Sequence, residues 1–331
     1  METAEKDEVP VEKSEDTGNN LERLPEGCIS DILSLTTPAD VCRSSLVSTL
    51  FKSAADSDAV WEKFLPADYQ DIISRAFYPF SSAATTTSKK KLYYRLSDDP
   101  LLIDDGLKSI QLEKSSGKKC IMLGAKELAI VWGDTPQYWF YRGCPDSRFA
   151  EVAELRCVWW FDIRGKLEIQ MLSPNTFYLA YLVLKIRDRA YGFDEPIKAK
   201  VEVGGHTSQE KLIYLSACSD NDPPDQVSEA EYFARDRGDG WMEVGIGHFY
   251  NEGGDYEGGE VHMSVTETER LGAKRGLIIQ EKKLWAKLHR SSNNISNRSI
   301  NLGRTIKVQS ISDQSNVEDK VSQHDVDPTE L

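Results

Sequence analysis

Between about residues 108 and 286 the apolar side chains recur at every second position, whereas between residues 24 and 73 they recur every third or fourth. This change of period constrains the fold more than any other feature. Strand side chains alternate between two faces, while helical ones return to a face after about 3.6 residues. Ala199, Val201 and Val203 alternate with Lys198, Lys200 and Glu202, as on a half-buried strand. Leu155, Cys157, Trp159 and Phe161 oppose Arg156, Val158, Trp160 and Asp162. Arg164-Gly165 then reads as the turn of a hairpin into Leu167, Ile169 and Met171. Residues 178–186 are apolar on both faces and read as a central strand. Further strands are expected at 128–132, 138–142, 211–217, 242–250, 261–265 and 276–280. About nine or ten short strands separated by turn residues predict an antiparallel β-sandwich, jelly-roll-like in layout. No strand–helix alternation points to a Rossmann sheet.

The helical block has its own punctuation. Pro25 suits a first turn, and Ile29, Ile32 and Leu33 follow at helical spacing. Thr37-Pro38-Ala39-Asp40 is a second start signal, with a capping oxygen, a proline where no N–H is needed and an acid in the first turn. Val41, Ser45, Val47, Leu50 and Phe51 continue that helix. Ser57 or Asp58 caps a third, which carries Trp61, Phe64 and Leu65 and stops at Pro66. A unit of about 45 residues is near the limit of independent folding, so its remaining apolar face is expected to be buried on something else. The chain is thus α+β and multidomain. Residues 1–20 form a solvated acidic tail and 21–66 a three-helix unit. Residues 67–110 form a connector, with helices at 68–77 and 89–96 and a flexible loop at 81–88. The sandwich spans 111–288, and 289–331 form a serine-rich tail. Leu92, Tyr93 and Leu96 are expected to face inward.

The 40 Lys+Arg stand against 54 Asp+Glu, a net charge of −14, which removes the electrostatic footprint of a nucleic-acid binder or a basic membrane-surface protein. The polar, acid-rich first twenty residues do not read as a secretory signal. The longest apolar run is eight residues, 177–184, against the roughly 20 that a spanning helix needs. Action in nucleus and cytoplasm, with reduced cysteines, is therefore expected. The six cysteines and five histidines show no zinc spacing. The glycine-rich stretch 253–259 lacks the Lys-Ser/Thr of a phosphate loop. No cofactor or metal is expected.

Leu24-Pro25-Glu26-Gly27-Cys28-Ile29-Ser30-Asp31-Ile32-Leu33, the Thr-Pro-Ala-Asp turn, Ser48 to Phe51 and Val60-Trp61-Glu62-Lys63-Phe64-Leu65 together resemble an F-box. The order Leu128 to Trp139, Glu154-Leu155-Arg156, Trp160-Phe161-Asp162-Ile163, Asp239-Gly240-Trp241-Met242-Glu243 and Arg275-Gly276-Leu277-Ile278-Ile279 resembles the phloem protein 2 or Nictaba-type lectin domain of plants, over about 117–285. The pairing resembles plant F-box proteins of the phloem protein 2 B group. That resemblance implies a non-catalytic receptor subunit of an SCF-type ubiquitin ligase. Leu24, Pro25, Ile29, Ile32, Leu33, Trp61 and Leu65 would dock on the Skp adaptor. The sandwich would bind N-acetylglucosamine-containing glycans or glycoprotein clients through residues matching Trp132, Trp139, Glu260 and Glu267. Strict alternation places Glu260 and Glu267 on opposite faces, so a bulge or a strand end must intervene for them to converge. Two alternatives stand beside it: an F-box receptor whose sandwich holds a protein client without sugar, and a stand-alone nucleocytoplasmic lectin.

Overall fold

The computed structural model describes residues 23–78, 88–204, 206–207, 210–217, 233–253 and 259–287. The expected tails at 1–20 and 289–331, and all of the 81–88 loop except Ser88, lie outside the described residues.

Among the described residues six α-helices precede the strands: α1 (Glu26–Ser34), α2 (Pro38–Ser44), α3 (Thr49–Asp56), α4 (Asp58–Phe64), α5 (Tyr69–Ser74) and α6 (Lys89–Asp98). The caps read from sequence are made. The Thr37 hydroxyl accepts from the Asp40 amide, with Pro38 at the first helical position. Ser57 caps α4, as expected, and Ser88, expected in the flexible loop, caps α6. The stretch from Thr37 to Phe51, read as one helix, is two. The chain turns at 45–47, and Ser48 restarts it by accepting from the Phe51 amide. The described residues 23–66 therefore carry four α-helices rather than three. Trp61 is fully buried at their centre, its indole N–H donating to Ala55 O at 2.7 Å. It packs with Phe64, Tyr93 and Tyr94 at ring separations of 5.2–5.7 Å. Leu92, Tyr93 and Leu96 of α6 complete this core, as expected.

The strands are β1 (Leu101–Ile103), β2 (Lys108–Leu112), β3 (Lys119–Gly124), β4 (Ala129–Ile130), β5 (Trp139–Arg142), β6 (Val152–Leu155), β7 (Phe161–Glu168), β8 (Thr176–Tyr191), β9 (Ile197–Val203), β10 (His206–Thr207), β11 (Lys211–Ala217), β12 (Phe233–Asp236), β13 (Met242–Asn251), β14 (Glu260–Glu267) and β15 (Arg275–Lys287). They form one curled sheet in the order β1-β2-β3-β15-β8-β13-β12-β11-β9-β14-β7-β4, with β10 beside β9 and β5-β6 appended to β15. Its two walls enclose a continuous apolar core. The strand read as central, β8, lies between β15 and β13. The pairing is antiparallel except for β11 with β12, which run parallel and join the walls.

Arg164-Gly165 is not a turn: β7 runs straight through both residues, paired with β14 from Phe161 to Glu168. Gly165 serves close approach instead. A Cβ there would lie 3.1 Å from Leu128 and 3.3 Å from both Leu123 and the Lys282 side chain. Lys282 is fully buried and spans the walls, donating to Ile163 O at 2.7 Å and Met263 O at 2.9 Å.

The helices and the sheet share packing. Leu112 of β2 belongs to the helical core, and Gly117 in the β2–β3 turn lies so close to Phe64 O that a Cβ would sit 2.5 Å away. Lys119 pairs with Asp68 at 2.9 Å, and Arg75 grips Asp104 with two hydrogen bonds at 3.0 and 2.8 Å.

Candidate functional site

The helical unit divides its apolar residues into two sets. Ile29, Leu33, Trp61 and Leu65, four of the seven expected to dock on an adaptor, are sealed in the intramolecular core. Here they hold the helices together and offer no surface. Pro25 is exposed and Leu24 half-buried. Ile32, on the outer side of α1, keeps 47% of its surface. Beyond the expected residues, Leu35 (87% exposed) at the end of α1, and Leu46 (86%) and Val47 (59%) in the turn between α2 and α3, also project outward. These large apolar side chains stay uncovered on one small unit and are open to a partner. Residue type alone could not find them, because a leucine reads the same whether it faces the core or solvent.

At one end of the sheet, three of the seven tryptophans are exposed: Trp132 (43%), Trp159 (51%) and Trp160 (44%). Trp132 follows β4 in a left-handed conformation, φ 58°, which costs a side-chain-bearing residue about 1–2 kcal/mol. Two backbone bonds keep it there: Gly133 N–H to Ile130 O at 2.8 Å and Thr135 N–H to Trp132 O at 3.0 Å. The indole leans on the Tyr138 ring at 5.2 Å and 37°, so one face is backed and the other is open. Trp160 leaves the same seam of the sheet. The Val131 amide donates to Asp162 O at 3.0 Å, one residue before Trp132 and two after Trp160. The alternation expected across residues 155–162 does not hold: β6 ends at Leu155, β7 begins at Phe161, and between them Val158 is buried while Trp159 and Trp160 are both exposed.

Of the other residues expected around a sugar, Glu267 lies at this same end, opposite Phe161, whereas Glu260 lies at the far end of β14, opposite Glu168. Trp139 begins β5 pointing into the core, 2% exposed and 6.3 Å from the Phe161 ring. Glu260 and Glu267 occupy opposite ends of β14 and opposite faces, as alternation required, and no bulge interrupts the pairing between them. Seven strand steps separate them by about 23 Å. Glu260 pairs with Lys166 and His262, each at 3.1 Å. Glu267 is buried and closes its own turn. It accepts from the Glu269 amide at 3.1 Å, the Arg270 amide at 2.8 Å and the Arg270 guanidinium. Burial opposes its ionisation, but these donors win and hold the carboxyl below the usual range. Glu267 therefore has no proton to give a glycosidic oxygen near neutral pH, the property a hydrolytic acid needs.

A cavity of about 480 Å³ lies on the outer side of β4, β7, β14 and β9, over Ser264 and Thr266. Its cations are committed locally: Arg164 to Asp162, Lys166 to Glu260, Lys198 to Glu269 and Lys200 to Glu202. Neither Trp132 nor Glu260 lines it.

Residues 118–284 match the phloem protein 2 family, and residues 21–66 match an F-box-like domain. F-box protein PP2-B10 of Arabidopsis thaliana is 46% identical over 260 residues, covering 78% of this chain and 90% of that one. F-box protein SKIP3 of the same plant is 43% identical over 265 residues, covering 79% and 86%. F-box protein PP2-B1, also from Arabidopsis thaliana, is 38% identical over 316 residues, covering 83% and 91%.

Proposed function

The chain belongs to the F-box proteins that carry a phloem protein 2 domain, and from that premise we propose that it is the substrate receptor of an SCF-type ubiquitin ligase. Its helical unit docks on a Skp-type adaptor, and its sandwich holds the client through a glycan containing N-acetylglucosamine. The work takes place in nucleus and cytoplasm. The observation that carries the docking half is the apolar set Ile32, Leu35, Leu46 and Val47, which the rest of the described residues leave uncovered. Such residues, pressed into a partner, supply the buried centre of an interface. Transfer of ubiquitin then gains from proximity, with this subunit positioning the client and doing no covalent chemistry.

The saccharide half rests on Trp132, an indole held out with one face open at an energetic cost. A single sugar contact of 1 mM to 1 μM is worth only about −4 to −8 kcal/mol, so recruitment gains from added contacts. Adaptor capture by the whole chain, combined with a glycan array, tests both halves. The expected result is capture that Leu46→Glu abolishes and binding of N-acetylglucosamine oligomers that Trp132→Ala abolishes. Failure of capture by the folded wild type overturns the receptor reading. A second reading, a sandwich that holds a protein client without sugar, draws on the placement of Trp139 and Glu260 away from Trp132. Clean capture with a blank array would select it.

A further inference from the structure

The cavity over β14 is walled by cations and floored by hydroxyls. Ser264 and Thr266 are its small floor residues, and among the described residues neither hydroxyl has a hydrogen-bond partner. In the strand pairing Ser264 stands between Arg164 of β7 and Lys200 of β9. On one side of it along β14, His262 stands between Lys166 and Glu202; on the other, Thr266 stands between Asp162 and Lys198. Directly paired side chains are about 5 Å apart on one face, so short hydroxyls between long cations make a trough running along β14. All four cations line it, whereas Asp162, Glu260 and Glu269, the acids that hold three of them, do not. Each cation keeps a third or more of its side chain in solvent, and exposed pairs of this kind are held weakly. Asp162 engages Nε and Nη2 of Arg164, which leaves Nη1 to another acceptor. The acids that line the trough have cations beside them: Lys108 is 2.8 Å from Glu127, Lys200 is 2.7 Å from Glu202 and Lys198 is 3.9 Å from Glu210.

Ammonium, guanidinium and hydroxyl groups are donors that suit carboxylates. No Trp, Tyr or Phe lines the trough, so it offers no stacking platform to a base or a sugar ring. The interleaved acids oppose a dense polyanion. Arg164 and Lys166 are two residues apart on β7, and Lys198 and Lys200 on β9. That is about 6.8 Å, the spacing of alternate side chains in an extended peptide. We propose that the trough binds an extended acidic segment of a partner protein. Its carboxylates, at alternate positions, are received by Arg164 and Lys166 on one side and by Lys198 and Lys200 on the other, with Ser264 and Thr266 donating from the floor. This contact is separate from the saccharide reading and does not rest on it.

The test is fluorescence anisotropy of a labelled octapeptide alternating serine and glutamate, titrated with the full chain, each variant first checked by thermal melting. The wild type is expected to bind it, to bind the serine–glutamine counterpart about tenfold less tightly, and to lose affinity as salt rises. Lys200→Glu and Lys166→Glu should each weaken binding by about tenfold. Ser264→Asp, which sets a carboxylate on the floor, should abolish it. Lys287→Glu, at an exposed position outside the trough, should leave it unchanged. Trp132→Ala should bind the peptide as the wild type does, which separates this site from the saccharide reading. Equal binding of the glutamate and glutamine peptides, or of neither, overturns the inference, and so does a loss in Lys287→Glu equal to that in Lys200→Glu. Binding to vesicles containing phosphatidylserine without binding of the peptide also overturns it, in favour of a lipid surface.

Discussion

Trp132 and Trp139 flank one turn yet should respond to truncation in opposite ways. Trp139 is 2% exposed against Phe161, so Trp139→Ala removes a whole indole from a packed core. Phe or Trp to Ala at such sites costs about 3–5 kcal/mol. For a domain of this size each kcal/mol moves the midpoint by about 2–4 °C, so a fall of about 6–20 °C is expected. Trp132→Ala keeps the strained φ, and what it loses is chiefly the ring contact with Tyr138, about 0.5–1.5 kcal/mol. Its midpoint should fall by no more than about 6 °C. Thermal unfolding followed by circular dichroism measures both, with Trp139→Phe as the conservative control that restores most of the loss. The consequence is functional: lost sugar binding in Trp139→Ala would report damage to the fold, not a lost ligand contact. If Trp139→Ala melts with the wild type while Trp132→Ala melts far below it, the two assignments are inverted and the site is wrongly placed.

Trp132→Gly relieves about 1–2 kcal/mol of left-handed strain but gives back about 0.5–1 kcal/mol in unfolded-chain entropy. It should melt at or slightly above Trp132→Ala while binding no sugar, and a lower midpoint than Trp132→Ala contradicts the strain argument. Burial lowers the Lys282 pKa from 10.5 to about 7, so between pH 7 and 10.5 the unfolded chain binds a proton that the folded chain does not. Stability should therefore rise from pH 7 towards 9, where the Cys120 thiol, pushed up by burial to about 12, begins to act in the opposite sense. Urea titrations at pH 7, 8 and 9 check the slope, and a slope that survives in Lys282→Met is due to another group. Leu46→Glu and Leu35→Glu replace exposed side chains and should move stability by less than about 0.5 kcal/mol while weakening adaptor capture. A large fall in melting temperature for either places that leucine in the core.

Local signals carried most of the helical unit. Thr37-Pro38 and Ser57 cap their helices as expected because a capping oxygen needs only the next three residues. Period-two alternation likewise places Glu260 and Glu267 on opposite faces, as β14 has them. Long-range packing was illegible. Gly165 has the look of a turn glycine, but Leu128, Leu123 and Lys282, the last 117 positions away in sequence, together crowd the place a Cβ would take. The parallel join of β11 and β12 is set by two separate segments meeting across the curl. Trp132 and Trp139 looked equivalent because the Gly-Asp-Thr-Pro turn between them breaks the alternation that would have told exposed from buried. The burial of Trp61 and Leu65 is not legible either, because an apolar helix face does not reveal that α6, about thirty residues on, packs with it.

Hydrogen exchange on the whole chain with and without a purified Skp-type adaptor tests the central claim most directly. The account predicts added protection at the end of α1 and in the turn at 45–47, around Leu35, Leu46 and Val47, with exchange around Trp132 unchanged. An adaptor that leaves those segments exchanging at their free rates contradicts it.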